Sequence, residues 1–253
     1  MTLRGRRALV TGAGRGIGRA AALRLAAEGS ALVLASRTRA EVEAAAEEAR
    51  RCGVTASALV ADVTRSDEVA ALFREAGPVD VLVNAAGVAP SAPLVKTSDE
   101  VWRQALETNL SGTFYCLRAA LPGMMERGWG RVVNLASIAG KTGYPYIAAY
   151  AASKHGVLGL TRVAALEAAE RGVTVNAVCP GYVDSPMTDA SIARIVDKTG
   201  LKSADVRKRL EEMSPQKRLM TADEVVALVV FLCGDEARGI TGQALSLDGG
   251  TLV

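Results

Sequence analysis

The sequence predicts an α/β fold of the doubly wound type, in which helices cover both faces of a mostly parallel sheet. Two observations lead to this class: short β-rich runs alternate with longer helical patterns, and the β-rich runs are apolar without alternation. Strands buried on both faces look this way, and strand–helix repetition implies right-handed crossovers between parallel strands. Seven strands are predicted, at residues 8–11, 31–35, 56–61, 79–84, 131–135, 173–179 and 244–248.

A long stretch without a strand pattern follows the sixth strand, from Pro180 to about Thr221. Ligands of doubly wound sheets bind beyond the carboxyl ends of the strands, and long excursions in compact domains are usually functional. We therefore expect one domain over residues 1–253, with a helical substrate lid at 186–220. Acidic and basic side chains nearly balance in this lid, which favours a solvated amphipathic helix over a phosphate-binding surface.

Composition and charge exclude several classes of function. The formal net charge is +3, with 30 basic and 27 acidic side chains interspersed, so no nucleic-acid partner is expected. The four cysteines are far apart and share one histidine, which predicts small core residues in a reducing cytosol and no metal site. No apolar signal core follows Met1, and the longest apolar run, 225–233, is too short for a bilayer. We expect a cytoplasmic protein outside the membrane.

A glycine-rich turn, Thr11 to Gly18, follows the first strand and opens a helix. Backbone amides at a helix N-terminus can face an anionic pyrophosphate. Gly12 permits the tight turn, Gly16 lets the backbone approach a phosphate, and Gly18 lets helix and strand pack closely. The spacing departs from Gly-x-Gly-x-x-Gly, so a purely structural turn stays open as the alternative.

The end of the second strand indicates which nucleotide binds. An NAD site usually has an acid there for the ribose 2′-hydroxyl, but this chain has Ser36 and Arg37. Arg37 can pair with a 2′-phosphate in a planar fork, and Arg15 could reach the same phosphate from the glycine turn. These residues favour NADP. The alternative is that Arg37 is a solvated surface residue.

Two further strand ends border the predicted crevice. Asp62–Val63 follows the third strand, where the carboxylate could accept from the adenine amino group, although Asp is also a common turn residue. The segment Asn84-Ala85-Ala86-Gly87 closes the fourth strand. Its small side chains allow the backbone to approach a cofactor closely, and Asn84 can tie adjacent strand ends together.

Three residues predict hydride-transfer chemistry. Tyr150 and Lys154 share a helix face, and Ser137 lies at the carboxyl end of the fifth strand. Tyr150 can protonate a carbonyl oxygen that receives hydride on its carbon, while Ser137 donates a second hydrogen bond. An ammonium roughly 4–5 Å away contributes about 3–4 kcal/mol, so Lys154 is expected to lower the pKa of Tyr150 to roughly 7–8. Asn109 could hold a water beside Lys154.

Each of these features alone has an ordinary explanation. Aromatic-x-x-x-Lys occurs by chance in many helices, and Asn109 could be a satisfied packing residue. Together and in order, however, the glycine turn, Asn84–Gly87, Asn109, Ser137, Tyr150-x-x-x-Lys154 and Pro180-Gly181 resemble the short-chain dehydrogenases/reductases over the whole chain. The resemblance implies a seven-stranded Rossmann-like sheet, an Asn109–Ser137–Tyr150–Lys154 tetrad, and NADP where basic residues stand at Arg15 and Arg37.

The resemblance also extends the predicted cofactor contacts into the lid. Members often carry Thr where this chain has Ser185, and Asn-Asn-Ala-Gly where it has Asn84-Ala-Ala-Gly; the hydroxyl and the glycine are kept. The Tyr-x-x-x-Lys spacing argues against the enoyl-reductase branch. The full predicted set of cofactor contacts is Gly12, Arg15, Gly16, Ile17, Gly18, Ser36, Arg37, Asp62, Val63, Asn84, Ala85, Ala86, Gly87, Tyr150, Lys154, Pro180, Gly181, Val183 and Ser185.

Within the family, the segments around Ser137, Lys154 and Gly181 are similar to 3-oxoacyl thioester reductases and polyketide ketoreductases. We expect an NADP-dependent reductase of a small carbonyl substrate, carried as a CoA or carrier-protein thioester. An alcohol, cyclic-alcohol or hydroxysteroid dehydrogenase is the runner-up, and a catalytically silent NADP-binding scaffold or sensor is a third hypothesis. The predicted substrate contacts are Ser137, Tyr144, Tyr150, Tyr182 and Met187.

Self-association is also expected. The helical segments 106–117 and 157–166 are more apolar than packing on one sheet face requires. The family resemblance implies dimers or tetramers, and we expect a homotetramer.

Overall fold

The computed structural model describes residues 3–252 and contains a seven-stranded, all-parallel sheet. The strand order is β3-β2-β1-β4-β5-β6-β7. This confirms the predicted fold class, and each strand boundary lies within two residues of its predicted position. The strands are β1 (Arg7–Thr11), β2 (Ala31–Ser36), β3 (Ala56–Val60), β4 (Val81–Asn84), β5 (Gly130–Leu135), β6 (Val173–Pro180) and β7 (Ala244–Leu247).

Nine α-helices are found in the described chain, and two of them fall within the predicted lid. One predicted helix was wrong in detail, because residues 106–117 are not uniformly α-helical: Leu106–Ser111 forms a π-helical turn between two α-helices. The helices are α1 (Gly16–Ala27), α2 (Arg39–Arg50), α3 (Ser66–Ala76), α4 (Asp99–Ala105), α5 (Gly112–Glu126), α6 (Ala148–Ala168), α7 (Pro186–Thr199), α8 (Ser203–Glu212) and α9 (Ala222–Cys233).

Side chains on the central strands alternate between two apolar layers. On β1, Val10 packs in the layer under α1, α2 and α9, whereas its neighbour Leu9 packs in the layer under α3, α5 and α6. On β4, Val83 and Leu82 divide in the same way. Successive residues of a strand point to opposite faces, and both faces of this sheet are covered. The central strands are therefore apolar throughout.

The cysteines do not all behave as predicted. Cys116, Cys179 and Cys233 are buried, and burial raises the pKa of Cys116 and Cys233 to about 12. Cys52 is exposed, because it lies in the turn after α2 rather than on the buried face of an element. The long apolar run belongs to α9 and packs on the sheet, and no helix within residues 3–252 is long and apolar enough to cross a membrane.

The strand register sets one edge of the sheet as the place for a site. Thr11 on β1 is paired with Asn84 on β4, and Asn84 is paired with Asn134 on β5. The order of strands reverses between β1 and β4, and ligands of open α/β sheets bind beyond the carboxyl ends of strands at such a switch point. The predicted site residues follow these strand ends.

Candidate active site

The glycine turn packs directly against the backbone that follows β4. Gly12 has φ +64°, and a Cβ there would lie 2.7 Å from the Cα of Ala86. A Cβ on Gly18 would overlap the carbonyl oxygen of Gly12. The Thr11 hydroxyl accepts from the amides of Ala85 (3.2 Å) and Ala86 (3.4 Å). The predicted tight turn and close helix–strand approach are both present, and side chains larger than hydrogen do not fit.

The first turn of α1 offers backbone donors next to this turn. Gly16 has φ +57° and begins the helix, and no side chain of the described residues caps it. The first amides of an uncapped helix lack intrahelical partners and can bind an anion. A Cβ on Gly16 would meet only Pro186, so the predicted pyrophosphate position has both open space and backbone donors.

The predicted cations at the end of β2 each have a carboxylate neighbour. Arg37 lies 3.9 Å from Asp62, and Arg15 lies 4.0 Å from Glu41. Both arginine side chains are largely exposed. Sequence reasoning missed Glu41, although an acid in the first turn of a helix is a common pattern. A 2′-phosphate at this edge would compete with these two carboxylates for the arginines.

Asp62 stabilises a turn after β3, which is the alternative role that the sequence left open for it. Its Oδ1 accepts from the amide of Thr64 at 2.9 Å, and its own amide donates to Glu68 at 2.9 Å. Its Oδ2 is the oxygen nearest Arg37. The neighbouring Val63 is 7% exposed. The adenine contact stays a prediction, while the turn role is clear.

A buried polar chain connects β4, β5 and α6. The amide of Asn84 donates to Asn134 Oδ1 (2.9 Å), and the amide of Asn134 donates to the Thr161 hydroxyl (2.9 Å). The predicted tie between strand ends at Asn84 is confirmed. Asn134 and Thr161 were not predicted for this role, because their separation of 27 residues hides the contact in the sequence. This chain of hydrogen bonds fixes α6 on β5.

Tyr150, Lys154 and Ser137 are brought together where α6 crosses the end of β5. Ser137 forms a hydrogen bond with the Tyr150 side chain. Lys154 is 5% exposed, and its Nζ donates to the Leu135 carbonyl at 2.6 Å and lies 5.7 Å from the centre of the Tyr150 ring. The three side chains therefore lie together beyond the carboxyl end of β5.

The expected lowering of the Tyr150 pKa was wrong for this arrangement. Burial raises the pKa of Tyr150 above its ordinary value of 10, and the hydrogen bond with Ser137 only partly opposes this. Burial also lowers the pKa of Lys154 to about 8. Both shifts have the same cause, because desolvation disfavours the charged form of each group. The Lys154 ammonium is directed at the Leu135 carbonyl, and burial is the larger effect on Tyr150.

Asn109 lies in the π-helical turn and is 1% exposed. Its amide donates to the Val88 carbonyl (2.9 Å) and to the Ser153 hydroxyl (2.9 Å), and its Oδ1 accepts from the Val88 amide (2.8 Å). Both amide hydrogens are therefore committed to protein partners. A water beside Lys154 could use only the remaining lone pair of the side-chain oxygen. Asn109 clearly positions the backbone that follows β4.

The predicted substrate contacts lie around the crevice. Tyr144 is half-buried, and its pKa is raised by burial and by the nearby Tyr182. Burial raises the pKa of Tyr182, which in turn faces Tyr150. Met187, in the first turn of α7, is exposed. Tyr182 is thus near enough to both Tyr144 and Tyr150 to raise the pKa of each.

Ser185 has a structural partner that the sequence did not indicate. It is the N-cap of α7, and its hydroxyl accepts from the Thr188 amide at 3.5 Å and donates to the Val183 carbonyl at 3.2 Å. Pro186 approaches the glycine turn, since its Cδ would lie 3.8 Å from a Cβ on Gly16. The start of the lid is therefore beside the predicted phosphate position.

The far end of α7 contacts the segment after β4. Arg194 donates to the Ala89 carbonyl at 2.9 Å, and Lys198 reaches the Ser91 carbonyl at 3.5 Å. Sequence reasoning treated these side chains as solvated lid charges, because nothing in the local pattern indicates their tertiary partners. The lid and the β4 end thus face each other across the crevice.

A glycine turn after β1 and a half-buried tyrosine beside a buried lysine on α6 define the class to which this protein belongs. A family model described as enoyl-(acyl carrier protein) reductase matches residues 12–251. The chain belongs to the short-chain dehydrogenase/reductase family, and it is an oxidoreductase.

Similar proteins share almost the full length of this chain. The 3-oxoacyl-[acyl-carrier-protein] reductase FabG of Staphylococcus epidermidis is 41% identical over 248 residues, which cover 96% of this chain and 97% of the relative. A variant of actinorhodin polyketide ketoreductase, solved with NADPH, superposes with a TM-score of 0.93 at 39% identity over 99% of both chains. Levodione reductase superposes with a TM-score of 0.92 at 33% identity, over 98% of this chain and 97% of that chain.

Proposed function

We propose that this protein is an NADP-dependent ketoreductase that reduces the ketone of a 3-oxoacyl or polyketide-type thioester. The observation that carries the proposal is the assembly of Ser137, Tyr150 and Lys154 beside the Asn84–Gly87 backbone. The identity to a 3-oxoacyl-[acyl-carrier-protein] reductase supports the substrate class. The complete set of polar residues argues against a silent NADP-binding scaffold or sensor.

The residues present fit a dinucleotide. A Cβ on Gly16 would meet only Pro186, at 3.8 Å, so the space beside the first turn of α1 is open, and no side chain caps the amides of that turn. Residues Gly12–Gly18 would hold the pyrophosphate, Asp62–Val63 the adenine, and the segment 180–185 the nicotinamide end, with Lys154 beside the ribose. The bound nicotinamide supplies the hydride.

Tyr150 acts as the proton donor in this mechanism. Because burial raises the pKa of its phenol, Tyr150 stays protonated at neutral pH and has a proton to give to the carbonyl oxygen. Ser137 donates a second hydrogen bond to the same oxygen and stabilises the charge that develops on it. We expect Lys154, whose Nζ lies 5.7 Å from the centre of the Tyr150 ring, to stabilise the tyrosinate left behind.

Arg15 and Arg37 support the choice of NADP. A guanidinium binds a phosphate in a bidentate manner and stays charged, and a 2′-phosphate carries more charge than the carboxylates that now face these arginines. The similar ketoreductase solved with NADPH supports the same choice. Arg37→Asp tests this preference for NADP over NAD.

A cyclic-ketone, alcohol or hydroxysteroid dehydrogenase is the second candidate, and the similarity to levodione reductase favours it. Enoyl reduction is named by the family model, but the four-residue separation of Tyr150 and Lys154 argues against it. These candidates differ in the bond that is reduced and in the shape of the substrate.

A short substrate panel tests the proposal. NADPH oxidation would be followed with acetoacetyl-CoA, a bicyclic ketone, a steroid ketone and crotonyl-CoA. We expect acetoacetyl-CoA to give the highest kcat/KM and crotonyl-CoA to give no turnover. A higher kcat/KM with the cyclic ketones would favour the second candidate, and turnover of crotonyl-CoA alone would contradict ketoreduction.

The proposal includes a cytoplasmic homo-oligomer, most simply a tetramer. Phe114 on α5 and Val163 and Leu166 on α6 are exposed, with Leu166 82% accessible. Apolar side chains on two neighbouring helices support association of subunits through this face. Light scattering at several protein concentrations would report the molar mass, and a monomer at every concentration would contradict this part of the proposal.

A further inference from the structure

Arg194 reaches from the lid helix α7 across to the segment that follows β4. Its Nη2 donates both to the Ala89 carbonyl and to the Ser191 hydroxyl, at 2.9 Å each. Its Nε is buried and has no hydrogen-bond partner within the described chain. A buried donor without a partner is costly, and an arginine on an outer helix could leave for water. The guanidinium is therefore held in place for its contact with Ala89.

The segment that Arg194 contacts, residues 88–92, is here called the crevice wall. One end is fixed by Asn109, which binds both the amide and the carbonyl of Val88. At the other end, the Ala92 amide donates to the Tyr146 carbonyl at 2.8 Å. Tyr146 has φ +71°, an unfavourable conformation for a non-glycine residue. The hydrogen bond at this end of the wall is therefore made by a strained backbone.

The middle of the crevice wall is held by the lid. Arg194 binds the Ala89 carbonyl at 2.9 Å, and Lys198 reaches the Ser91 carbonyl at a longer 3.5 Å. The arginine contact is shorter and partly buried, whereas the lysine contact is exposed. Arg194 is thus the stronger of the two links between α7 and the wall.

The crevice wall adjoins the predicted chemistry at both ends. It begins next to Gly87, where a Cβ would lie 3.8 Å from the Nζ of Lys154 and 3.3 Å from the side-chain oxygen of Asn109. It ends where Ala92 pairs with Ile147, three residues before Tyr150. A shift of the wall changes the width of the crevice between Tyr150 and the lid.

We propose that Arg194 is a positioning residue that fixes the crevice wall against the lid and so determines how tightly the ketone substrate is held. This inference rests on the proposed function for the identity of the substrate. Arg194 donates to no residue of the glycine turn, so its removal is expected to weaken substrate binding without weakening cofactor binding. The contact with the wall, however, exists independently of any substrate.

Three variants test this role. Arg194→Met removes the guanidinium and keeps the length of the side chain, and Arg194→Lys restores one charged donor. Arg207→Met is the matched control, because Arg207 is a lid arginine that pairs with Asp184, Asp189 and Glu211 and does not touch the wall. Hydrogen exchange of peptides covering residues 88–92 reports the wall directly. Steady-state kinetics with acetoacetyl-CoA and NADPH titration report its consequence.

For Arg194→Met we expect exchange in the wall to accelerate and the KM for acetoacetyl-CoA to rise, each about tenfold, the loss expected from one charge-assisted hydrogen bond. kcat and the Kd for NADPH should stay within about twofold, since only binding of substrate is weakened. Arg194→Lys should recover most of both effects, and Arg207→Met should show neither.

Several results would overturn the inference. One is hydrogen exchange of the wall or a KM that is unchanged in Arg194→Met. Another is an Arg207→Met protein with the same effects as Arg194→Met, and a third is a loss of NADPH affinity in Arg194→Met as large as its rise in KM. If Arg194→Met does not fold, Arg194→Lys decides the question. An Arg194→Lys protein with the hydrogen exchange and the KM of the unsubstituted protein supports the positioning role. An Arg194→Lys protein that also fails to fold shows that Arg194 is needed for folding, which overturns the inference. A wild-type protein that reduces no ketone contradicts the proposed function, whereas the exchange experiment still tests the contact.

Discussion

The two sides of the crevice are held by different kinds of contact. On the nucleotide side, the glycine turn packs backbone against backbone, so that a Cβ on Gly12 would lie 2.7 Å from the Cα of Ala86. On the lid side, α7 meets the crevice wall through long side chains, chiefly Arg194. Backbone contact leaves no freedom for a larger residue, whereas side-chain contact can open and reform. Under the proposed function, we expect the rigid side to hold the dinucleotide, which is constant, and the lid side to hold the ketone substrate, which varies between relatives.

The chemistry lies between these two sides, and removing it has the largest expected effect. Tyr150→Phe deletes the proton donor and should lower kcat by about 10³. The phenyl ring keeps the packing, so the Kd for NADPH and the thermal midpoint should stay close to those of the unsubstituted protein. Turnover and NADPH titration check this. Undiminished turnover would remove Tyr150 from the mechanism, and lost NADPH affinity would place it on the nucleotide side instead.

Gly18→Ala tests how tightly the glycine turn is packed on the nucleotide side of the crevice. Its Cβ would overlap the carbonyl oxygen of Gly12, so the free energy of unfolding should fall by about 3 kcal/mol. Gly239→Ala is the matched control, because a Cβ at this exposed position outside α6 meets nothing within 4 Å. An alanine there should raise stability by about 0.4–1 kcal/mol, because it reduces the conformational freedom of the unfolded chain. Urea unfolding measures both, and equal stability of the two variants would contradict the tight packing.

The buried Lys154 makes stability depend on pH. Burial lowers its pKa from 10.5 to about 8, so between these values the unfolded chain binds a proton that the folded protein does not. The contribution of Lys154 to the free energy of unfolding should therefore raise it from about pH 8 to pH 9, by at most about 1.4 kcal/mol. The raised pKa values of Cys116 and Cys233 act in the opposite direction above about pH 9, and the raised pKa of Tyr150 does so above pH 10.

Lys154→Met should abolish this rise, as measured by urea unfolding at several pH values. Lys208, which is 75% exposed and pairs with Glu212, gives the control Lys208→Met, whose pH dependence should match that of the unsubstituted protein. A rise that persists in Lys154→Met would assign the titration to another group.

Arg37→Asp tests whether the nucleotide side of the crevice selects NADP. The new carboxylate repels a 2′-phosphate and can accept from a 2′-hydroxyl, so the preference for NADPH over NADH should fall by about ten- to a hundredfold in kcat/KM. Arg39→Asp alters a nearby exposed arginine that pairs with Glu43, and should leave the preference unchanged. An unaltered preference in Arg37→Asp would place the 2′-phosphate elsewhere.

The fold and the nucleotide side could be predicted because they depend on local sequence. Apolar runs identify strands that are covered on both faces, and Gly12 and Gly18 are required by conformation and close packing near their own positions. The pairing of Tyr150 with Lys154 follows from helical spacing in the same way. The position of Ser137 could be predicted as well, because it closely follows a parallel strand whose carboxyl end lies at the edge of the sheet where the site is.

The features that were missed depend on tertiary contacts. Glu41 beside Arg15 and Arg194 on the Ala89 carbonyl join elements far apart in the chain. The pKa of Tyr150 was predicted from its distance to Lys154, but burial, which no local pattern reveals, acts more strongly. The lid side was thus the less predictable half, because its contacts are made by long side chains with many possible partners.

The most direct test of the central claim is the product formed from acetoacetyl-CoA and NADPH by the purified protein. Chromatography would quantify 3-hydroxybutyryl-CoA against the NADPH consumed. Reduction of the ketone by the assembly of Ser137, Tyr150 and Lys154 predicts equal molar amounts of the two and a product absent with Tyr150→Phe. Consumption of NADPH without the hydroxyacyl product, or no consumption by a folded protein that binds NADPH, would contradict it.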